Sequence, residues 1–181
     1  MGQAGTQEPR ITRILVPTDF SAPAEAAWRY ALTFSKLFKS RVHVLHVVAE
    51  PYAYPWGSNE MSTLPMADYL SQAKQAARDR LKTFVAATTG QADRVRAATK
   101  VGAPVEEILE YAGAESIDLI VIGTHGRGLV GQMLLGSVAE RVVRRAKMPV
   151  LMVHELPSPA KTTRATSSRA VRSRRATRKA G

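Results

Sequence analysis

Cysteine is absent from the 181 residues, which excludes disulfide scaffolds, thiol catalysis and cysteine-ligated metal sites. The sequence also lacks any run of about 20 apolar residues, the length that a membrane-spanning helix needs. Residues 1–10 are predicted to be unordered, and they have no apolar stretch typical of a secretory signal. We therefore expect a cytoplasmic protein that makes no contact with a membrane.

Residues suited to catalysis or to metal binding do not form a recognisable group. No Ser/His/Asp arrangement and no pair of carboxylates indicates hydrolysis, so we predict no catalytic residue. His43 and His46 are three positions apart in a β-rich segment, and side chains at that spacing on a strand point to opposite faces. They cannot hold one metal ion together, and we predict no protein metal site.

Acidic residues are scarce at the C-terminal end. The whole chain carries a net charge of +11, of which residues 155–181 contribute +7 through eight basic residues and one acidic residue. This tail has almost no large apolar side chain, so it is predicted to be disordered. Arg-rich disordered segments bind polyanions nonspecifically by releasing counterions. A purely solubilising role for the tail explains the composition equally well.

Residues 11–154 alternate between strand-like and helix-like patterns. Strands are predicted at 11–17, 41–48, 94–100, 118–122 and 149–153, with helices between them. Strands that alternate with helices indicate a parallel sheet covered on both faces. We therefore predict a single doubly wound α/β domain with a five-stranded parallel sheet, in which the weakly apolar strand 94–100 lies near an edge. Ligands bind beyond the carboxyl ends of the strands in such sheets.

The helices are predicted from capping residues and apolar spacing. Ser21 is expected to cap a helix whose inner face holds Ala27, Ala31, Phe34 and Phe38. A second helix is predicted at 66–89, and a third begins at Pro104. A fourth covers 137–146, with Ser137 expected to cap it through a capping box with Glu140.

Five glycines lie between Ile122 and Ser137, in a loop that follows a predicted strand and precedes a predicted helix. Glycine lets a ligand approach bare backbone, and the N–H groups at a helix start favour phosphate. A Walker A loop is excluded because no lysine follows these glycines. The G-x-G-x-x-G match at 126–131 is accidental, since two residues separate it from the strand end and only one further strand follows.

A third pattern, G-x-x-G followed by nine residues and G-S, begins at Gly123 and ends at Ser137. With this pattern the sequence resembles the universal stress protein family, in its nucleotide-binding branch. Further segments that carry the resemblance are P-T-D-F-S at 17–21, V-G-A-P at 101–104, D-L-I-V-I-G-T-H-G-R-G at 118–128, L-L-G-S-V-A-E-R-V at 134–142 and P-V-L-M-V at 149–153. The resemblance covers residues 11–154.

The resemblance implies ATP as the ligand, with Mg²⁺ carried by the triphosphate. Its implied binding residues are Pro17, Thr18 and Asp19 beside the adenine and ribose, Val47 offering backbone hydrogen bonds to the adenine, Ile122 lining the base pocket, and Gly123, Gly126, Arg127, Gly136, Ser137 and Val138 around the ribose and phosphates. It also implies a homodimer formed through strand 149–153 and a regulatory role in stress survival. Two alternatives stay open at this point. One is a slow ATP hydrolase that uses the same pocket, and the other is a nucleic-acid-associated protein that acts through its basic tail.

Overall fold

The computed structural model of the chain describes residues 9–50, 66–86, 92–124 and 136–154. Within these ranges the strands are β1 (Arg13–Pro17), β2 (Arg41–Val48), β3 (Val95–Val101), β4 (Leu119–Gly123) and β5 (Val150–Val153). The α-helices are α1 (Ala22–Phe38), α2 (Met66–Ala86), α3 (Pro104–Ala114) and α4 (Ser137–Arg145), and a 3₁₀ helix at Ala92–Arg94 precedes β3. The predicted disordered tail at 155–181 lies outside the described residues.

The five strands form one parallel sheet in the order β3-β2-β1-β4-β5. From β1 the chain first builds outward through β2 and β3, and it then crosses to the other side of β1 to form β4 and β5. The strand order therefore reverses between β1 and β4. The predicted parallel α/β sheet is confirmed, and β3 lies at an edge as its weakly apolar sequence indicated.

Side chains of successive strand residues point to opposite faces of the sheet, and both faces are buried. Ile14 and Val16 of β1 belong to a core cluster that includes residues of α1 and α2. Leu15, between them, belongs to a second cluster with residues of α3 and α4. All three side chains have no solvent exposure, so the predicted covering of the sheet by helices on both faces is confirmed.

The start of α1 agrees with the prediction, but one end of its inner face does not. Ser21 is the N-cap, its Oγ accepts a hydrogen bond from the Ala24 N–H, and Pro23 lies in the first turn. Phe38 was predicted to face the core, yet it is 50% exposed and its ring stacks on Phe34 at 5.9 Å. A 17-residue helix is about 26 Å long and a five-residue strand only about 17 Å, so the last turn extends past the sheet.

No helix in the described part of the chain is long and apolar enough to cross a membrane.

Candidate functional site

A cleft of about 860 Å³ lies at the carboxyl ends of the strands, where the strand order reverses. Its walls come from the loop after β1, the end of β2, the end of β4 and the starts of α3 and α4, together with one face of α2. Nine of the predicted binding residues line this cleft: Pro17, Thr18, Asp19, Val47, Ile122, Gly123, Gly136, Ser137 and Val138. Gly126 and Arg127 lie outside the described residues.

The loop after β1 is held by a series of short hydrogen bonds. The N–H of Thr18 donates to the Leu45 carbonyl at 2.8 Å, and the Thr18 hydroxyl accepts from the Phe20 N–H at 3.0 Å. Oδ1 of Asp19 accepts from the N–H of Ser21 at 3.0 Å and from its hydroxyl at 2.6 Å. Asp19 therefore orients the residue that caps α1 and also lines the cleft.

The end of β2 presents backbone groups to the cleft. The carbonyl of Leu45 accepts its hydrogen bond from the β1 side, whereas the carbonyl of Val48 accepts from Gly102, which follows β3. Backbone groups alternate in direction along a strand, so those of Val47 point to the β1 side, as those of Leu45 do. Because β1 ends at Pro17, opposite Leu45, β1 offers no strand partner to Val47.

Gly123 ends β4 where the start of α1 approaches very closely. A Cβ atom at this position would lie 2.7 Å from the carbonyl carbon of Pro23 and 2.8 Å from the nitrogen of Ala24. These are backbone atoms, so a side chain here would force the two elements apart. The glycine is therefore needed for the packing of the cleft floor, independently of any ligand.

Thr124, the next residue, joins three segments at the cleft although it is only 1% exposed. Its N–H donates to the carbonyl of Val153 at 3.0 Å, and its carbonyl accepts from Gly136 at 2.7 Å. Its hydroxyl lies 3.1 Å from Nδ1 of His154. The end of β5 and the start of α4 are thus tied to one buried residue, which the sequence reasoning did not single out.

Helix α4 begins at Ser137, as predicted, but Ser137 is not the residue that caps it. Gly136 is the N-cap, with extended backbone, and Ser137 is already helical. The predicted capping role of Ser137 is wrong, because Gly136 occupies the N-cap position and Ser137 is the first residue inside the helix. Gly136 has no side chain, so the N-cap residue itself offers no side-chain acceptor to the helix. The first N–H groups of a helix have no intrahelical acceptor, and here they belong to cleft-lining residues.

The side of the cleft formed by α2 contains residues that the sequence reasoning missed. Phe20 has a φ of 63°, and its ring lies 4.6 Å from that of His46. Nδ1 of His46 lies 2.7 Å from the Thr18 carbonyl, and since a carbonyl only accepts, this nitrogen carries the hydrogen. The guanidinium carbon of Arg80 lies 4.4 Å from the centre of the Phe20 ring.

Phe20 and His46 are sequence neighbours of the predicted Asp19 and Val47, and this adjacency at strand ends is the signal that could have found them. Arg80 is one of several charged residues in α2, and nothing local distinguishes it. Among the described residues that line the cleft, Asp19 is the one acid and Arg80 the one Lys or Arg. The described residues contain no group of three His, Asp or Glu side chains that could hold a metal ion.

An open parallel α/β sheet with a ligand cleft at its switch point defines a broad class of small-molecule-binding domains. Within that class the assignment is specific: the model of the universal stress protein family matches residues 10–154, and the chain belongs to this family.

Similar proteins of known structure lead to the same family. The universal stress protein MJ0577 of Methanocaldococcus jannaschii is 30% identical over 151 residues, which cover 78% of this chain and 93% of that protein. A solved structure of MJ0577 superposes with a TM-score of 0.67 at 29% identity, over 82% of this chain and 99% of that one. Universal stress protein UspA from Lactobacillus plantarum gives a TM-score of 0.63 at 27% identity, over 81% of this chain and 99% of that one. A universal stress protein in complex with cAMP gives 0.53 at 25% identity, with the same coverage.

Proposed function

We propose that the cleft binds ATP and that the protein is a nucleotide-responsive regulator of stress survival in the cytoplasm. The observation that carries the proposal is the convergence of three elements on one cleft: the start of α4 at its glycine N-cap, the Asp19 loop and the backbone of Val47 that faces the β1 side. The family membership supports it, and so does the family member that was solved with cAMP, an adenine nucleotide.

Each part of the cleft suits one part of the nucleotide. The N–H groups of Ser137 and Val138 lie at the positive end of a helix, which favours phosphate oxygens. The N–H and C=O of Val47 face the side on which β1 has ended, so they are suited to the donor and acceptor edge of adenine. Asp19 lies between these two regions and suits the hydroxyl groups of ribose. Mg²⁺ would arrive on the triphosphate, where it would neutralise charge on the phosphate oxygens.

Titration of ATP with Mg²⁺ into the protein and into Gly136→Asp tests this proposal. Aspartate is a preferred N-cap residue, so the substitution keeps α4 and adds a negative charge where the phosphates would bind. We expect micromolar binding to the parent protein and its loss in Gly136→Asp. Gly113→Asp, which places the same change on the exposed side of α3, should bind like the parent. Absence of binding to the parent would overturn the proposal. Measurement of ADP release in the same samples would distinguish a protein that only binds ATP from one that hydrolyses it.

We also propose that the protein forms a homodimer through residues 149–153. Strand β5 is an edge strand, and large apolar side chains are exposed on it and on the helix that packs beside it. Met152 of β5 is 40% exposed and Val143 of α4 is 39% exposed. Unpaired edges flanked by apolar surface favour strand-to-strand association. Light scattering should give twice the monomer mass for the parent protein and one monomer mass for Met152→Lys.

The basic tail is proposed to bind polyanions independently of the cleft. The +7 charge of residues 155–181 supports this proposal. Filter binding to duplex DNA should weaken when residues 158–181 are deleted, and it should weaken steeply as salt increases. Equal binding with and without the tail would contradict the proposal.

A further inference from the structure

We infer that Arg80, whose guanidinium lies over the Phe20 ring, forms a second anion-binding position in the cleft, and that this position recognises an additional phosphate on the ribose of the bound nucleotide. The inference rests on the proposed function, because it places Arg80 relative to a nucleotide in the cleft. It concerns the α2 side of the cleft, to which the family resemblance assigned no role.

Arg80 is placed in the cleft by one face of α2. Tyr69, Ala73 and Ala77 line the cleft with it, at a spacing that repeats on one side of a helix. The two alanines are small, so the wall beside the guanidinium has room for a ligand group. In the described part of the chain, none of the ion pairs involves Arg80, in contrast to Arg29, Arg96, Arg144 and Arg145.

The ring of Phe20 holds the guanidinium in place. Phe20 has a left-handed backbone, a conformation that is unfavourable for a residue with a large side chain. The conformation is held by the hydrogen bond from its N–H to Thr18, and the ring is fixed by contacts with His46 at 4.6 Å and Phe84 at 5.7 Å. The aromatic surface under Arg80 is thus rigid, and it restricts the positions that this long side chain adopts.

The contact with Phe20 leaves hydrogen-bonding capacity on Arg80. A guanidinium has five N–H donors, and none of the ion pairs in the described part of the chain uses those of Arg80. The donors form a planar fork that matches the oxygens of a phosphate. A partly pre-ordered arginine also loses less side-chain entropy when it binds than a freely moving one does.

The position of Arg80 identifies the part of the nucleotide that it would contact. Phe20 directly follows Asp19, which is proposed to contact ribose, and the Arg80 guanidinium lies 4.4 Å from the Phe20 ring. The 5′-phosphates are proposed to bind at the start of α4, which covers the opposite face of the sheet from α2. The cleft therefore has two positive regions on either side of Asp19. A nucleotide that carries 5′-phosphate and a second phosphate at the 2′ or 3′ position fits this distribution.

A comparison of AMP with adenosine 3′,5′-bisphosphate and adenosine 2′,5′-bisphosphate tests the inference. Each ligand is titrated into the full-length protein and into the variants Arg80→Gln and Arg78→Gln. Arg78 is the matched control, because it is an exposed arginine of the same helix, as Arg80 is, but it does not line the cleft. We expect one bisphosphate to bind about tenfold more tightly than AMP, the gain of a charge-assisted hydrogen-bond pair.

That tenfold ratio should fall to about one in Arg80→Gln and persist in Arg78→Gln. Arg80→Lys should give an intermediate ratio, since it keeps the charge and loses the planar fork. If both bisphosphates bind the parent protein only as tightly as AMP, or if Arg80→Gln leaves the tenfold ratio of affinities unchanged, the inference is overturned. Binding of AMP in the same titrations would still support the proposed function. Failure of AMP, ATP and both bisphosphates to bind the parent protein would overturn the inference and the proposed function together.

Discussion

Nδ1 of His43 lies 3.0 Å from the hydroxyl oxygen of Tyr111, and this contact connects β2 to α3 inside the core. His43 is only 4% exposed and Tyr111 only 6%. A buried polar group without a hydrogen-bond partner costs about 1–3 kcal/mol. The pair therefore explains how two polar side chains are accommodated on an otherwise apolar face of the sheet.

Replacement of Tyr111 with phenylalanine should reduce the free energy of unfolding by about 1–3 kcal/mol, because it leaves the His43 ring nitrogen buried without its partner. Urea unfolding monitored by circular dichroism measures this difference. Tyr30→Phe removes the same hydroxyl from an exposed position on α1 and should change stability by less than about 0.5 kcal/mol. Equal effects of the two substitutions would show that the buried contact contributes nothing.

His43 also predicts a dependence of stability on pH. Burial lowers the pKa of His43 below its usual value, and the attraction of Glu115 opposes this shift only in part. Below pH about 6.5 the unfolded chain takes up a proton at this position before the folded protein does. The contribution of neutral His43 to the free energy of unfolding is therefore fully present above pH about 6.5. It is lost as the pH falls, by at most about 1.4 kcal/mol per pH unit for one group.

The variant His43→Gln isolates this contribution. Unfolding free energies at pH 7.5, 6.5 and 5.5 should fall more steeply for the parent protein than for the variant, which does not titrate at this position. If the unfolding free energies of the two proteins fall in parallel with pH, His43 is not the source of the pH dependence, because the other histidines are present in both.

Asp118 anchors the amino ends of β1 and β4. Its Oδ2 accepts hydrogen bonds from the N–H and hydroxyl of Thr12, both at 2.7 Å, and from the N–H of Arg13 at 2.9 Å. Burial acts to raise the pKa of Asp118, but these hydrogen bonds outweigh it, and the pKa is lowered. A carboxylate with a lowered folded pKa stabilises the protein above its unfolded pKa of about 3.9, and this stabilisation is lost as the pH falls through the folded pKa.

Asp118→Asn should therefore destabilise the protein by about 1–3 kcal/mol at pH 7, through the loss of charge-assisted hydrogen bonds. The difference in unfolding free energy between Asp118→Asn and the parent protein should become smaller when unfolding is measured near pH 3. Asp93→Asn, at an exposed position before β3, is the control and should have little effect at either pH. A difference for Asp118→Asn that stays constant with pH would rule out the role of the charge.

Replacement of two glycines with alanine should change the stability of the protein in opposite directions. Gly123→Ala places a Cβ within 2.7 Å of the Pro23 backbone, and we expect about 1–3 kcal/mol of destabilisation from overpacking, with weaker ATP binding. Gly113→Ala meets no atom within 4 Å and lies in α3, where alanine is favoured over glycine by about 0.8–1 kcal/mol. Thermal unfolding of both variants measures the two effects. If Gly123→Ala leaves stability and ATP affinity unchanged, the backbone at the start of α1 can move enough to accommodate the added Cβ, and the prediction is wrong.

The order of strands and helices could be predicted because it depends on local patterns. Apolar runs such as Leu119–Ile122 indicate buried strands, and Ser21 followed by Pro23 indicates a helix start, whatever the rest of the chain does. The same patterns misplace details at helix ends. Phe38 has the spacing of a core residue, but its exposure depends on where the sheet ends beneath α1. Ser137 has the sequence context of a cap, but the backbone of Gly136 determines where α4 begins.

The candidate site divides in the same way. By itself the sequence determined the strand at Leu119–Gly123 and the helix at Ser137–Arg145, because those preferences belong to neighbouring residues. Only the tertiary structure decided that Arg80 lies on Phe20, that Thr124 meets His154 and that His43 meets Tyr111. Contacts between residues 30 to 68 positions apart depend on the strand order and on how each helix packs across the sheet, and no local pattern encodes that arrangement.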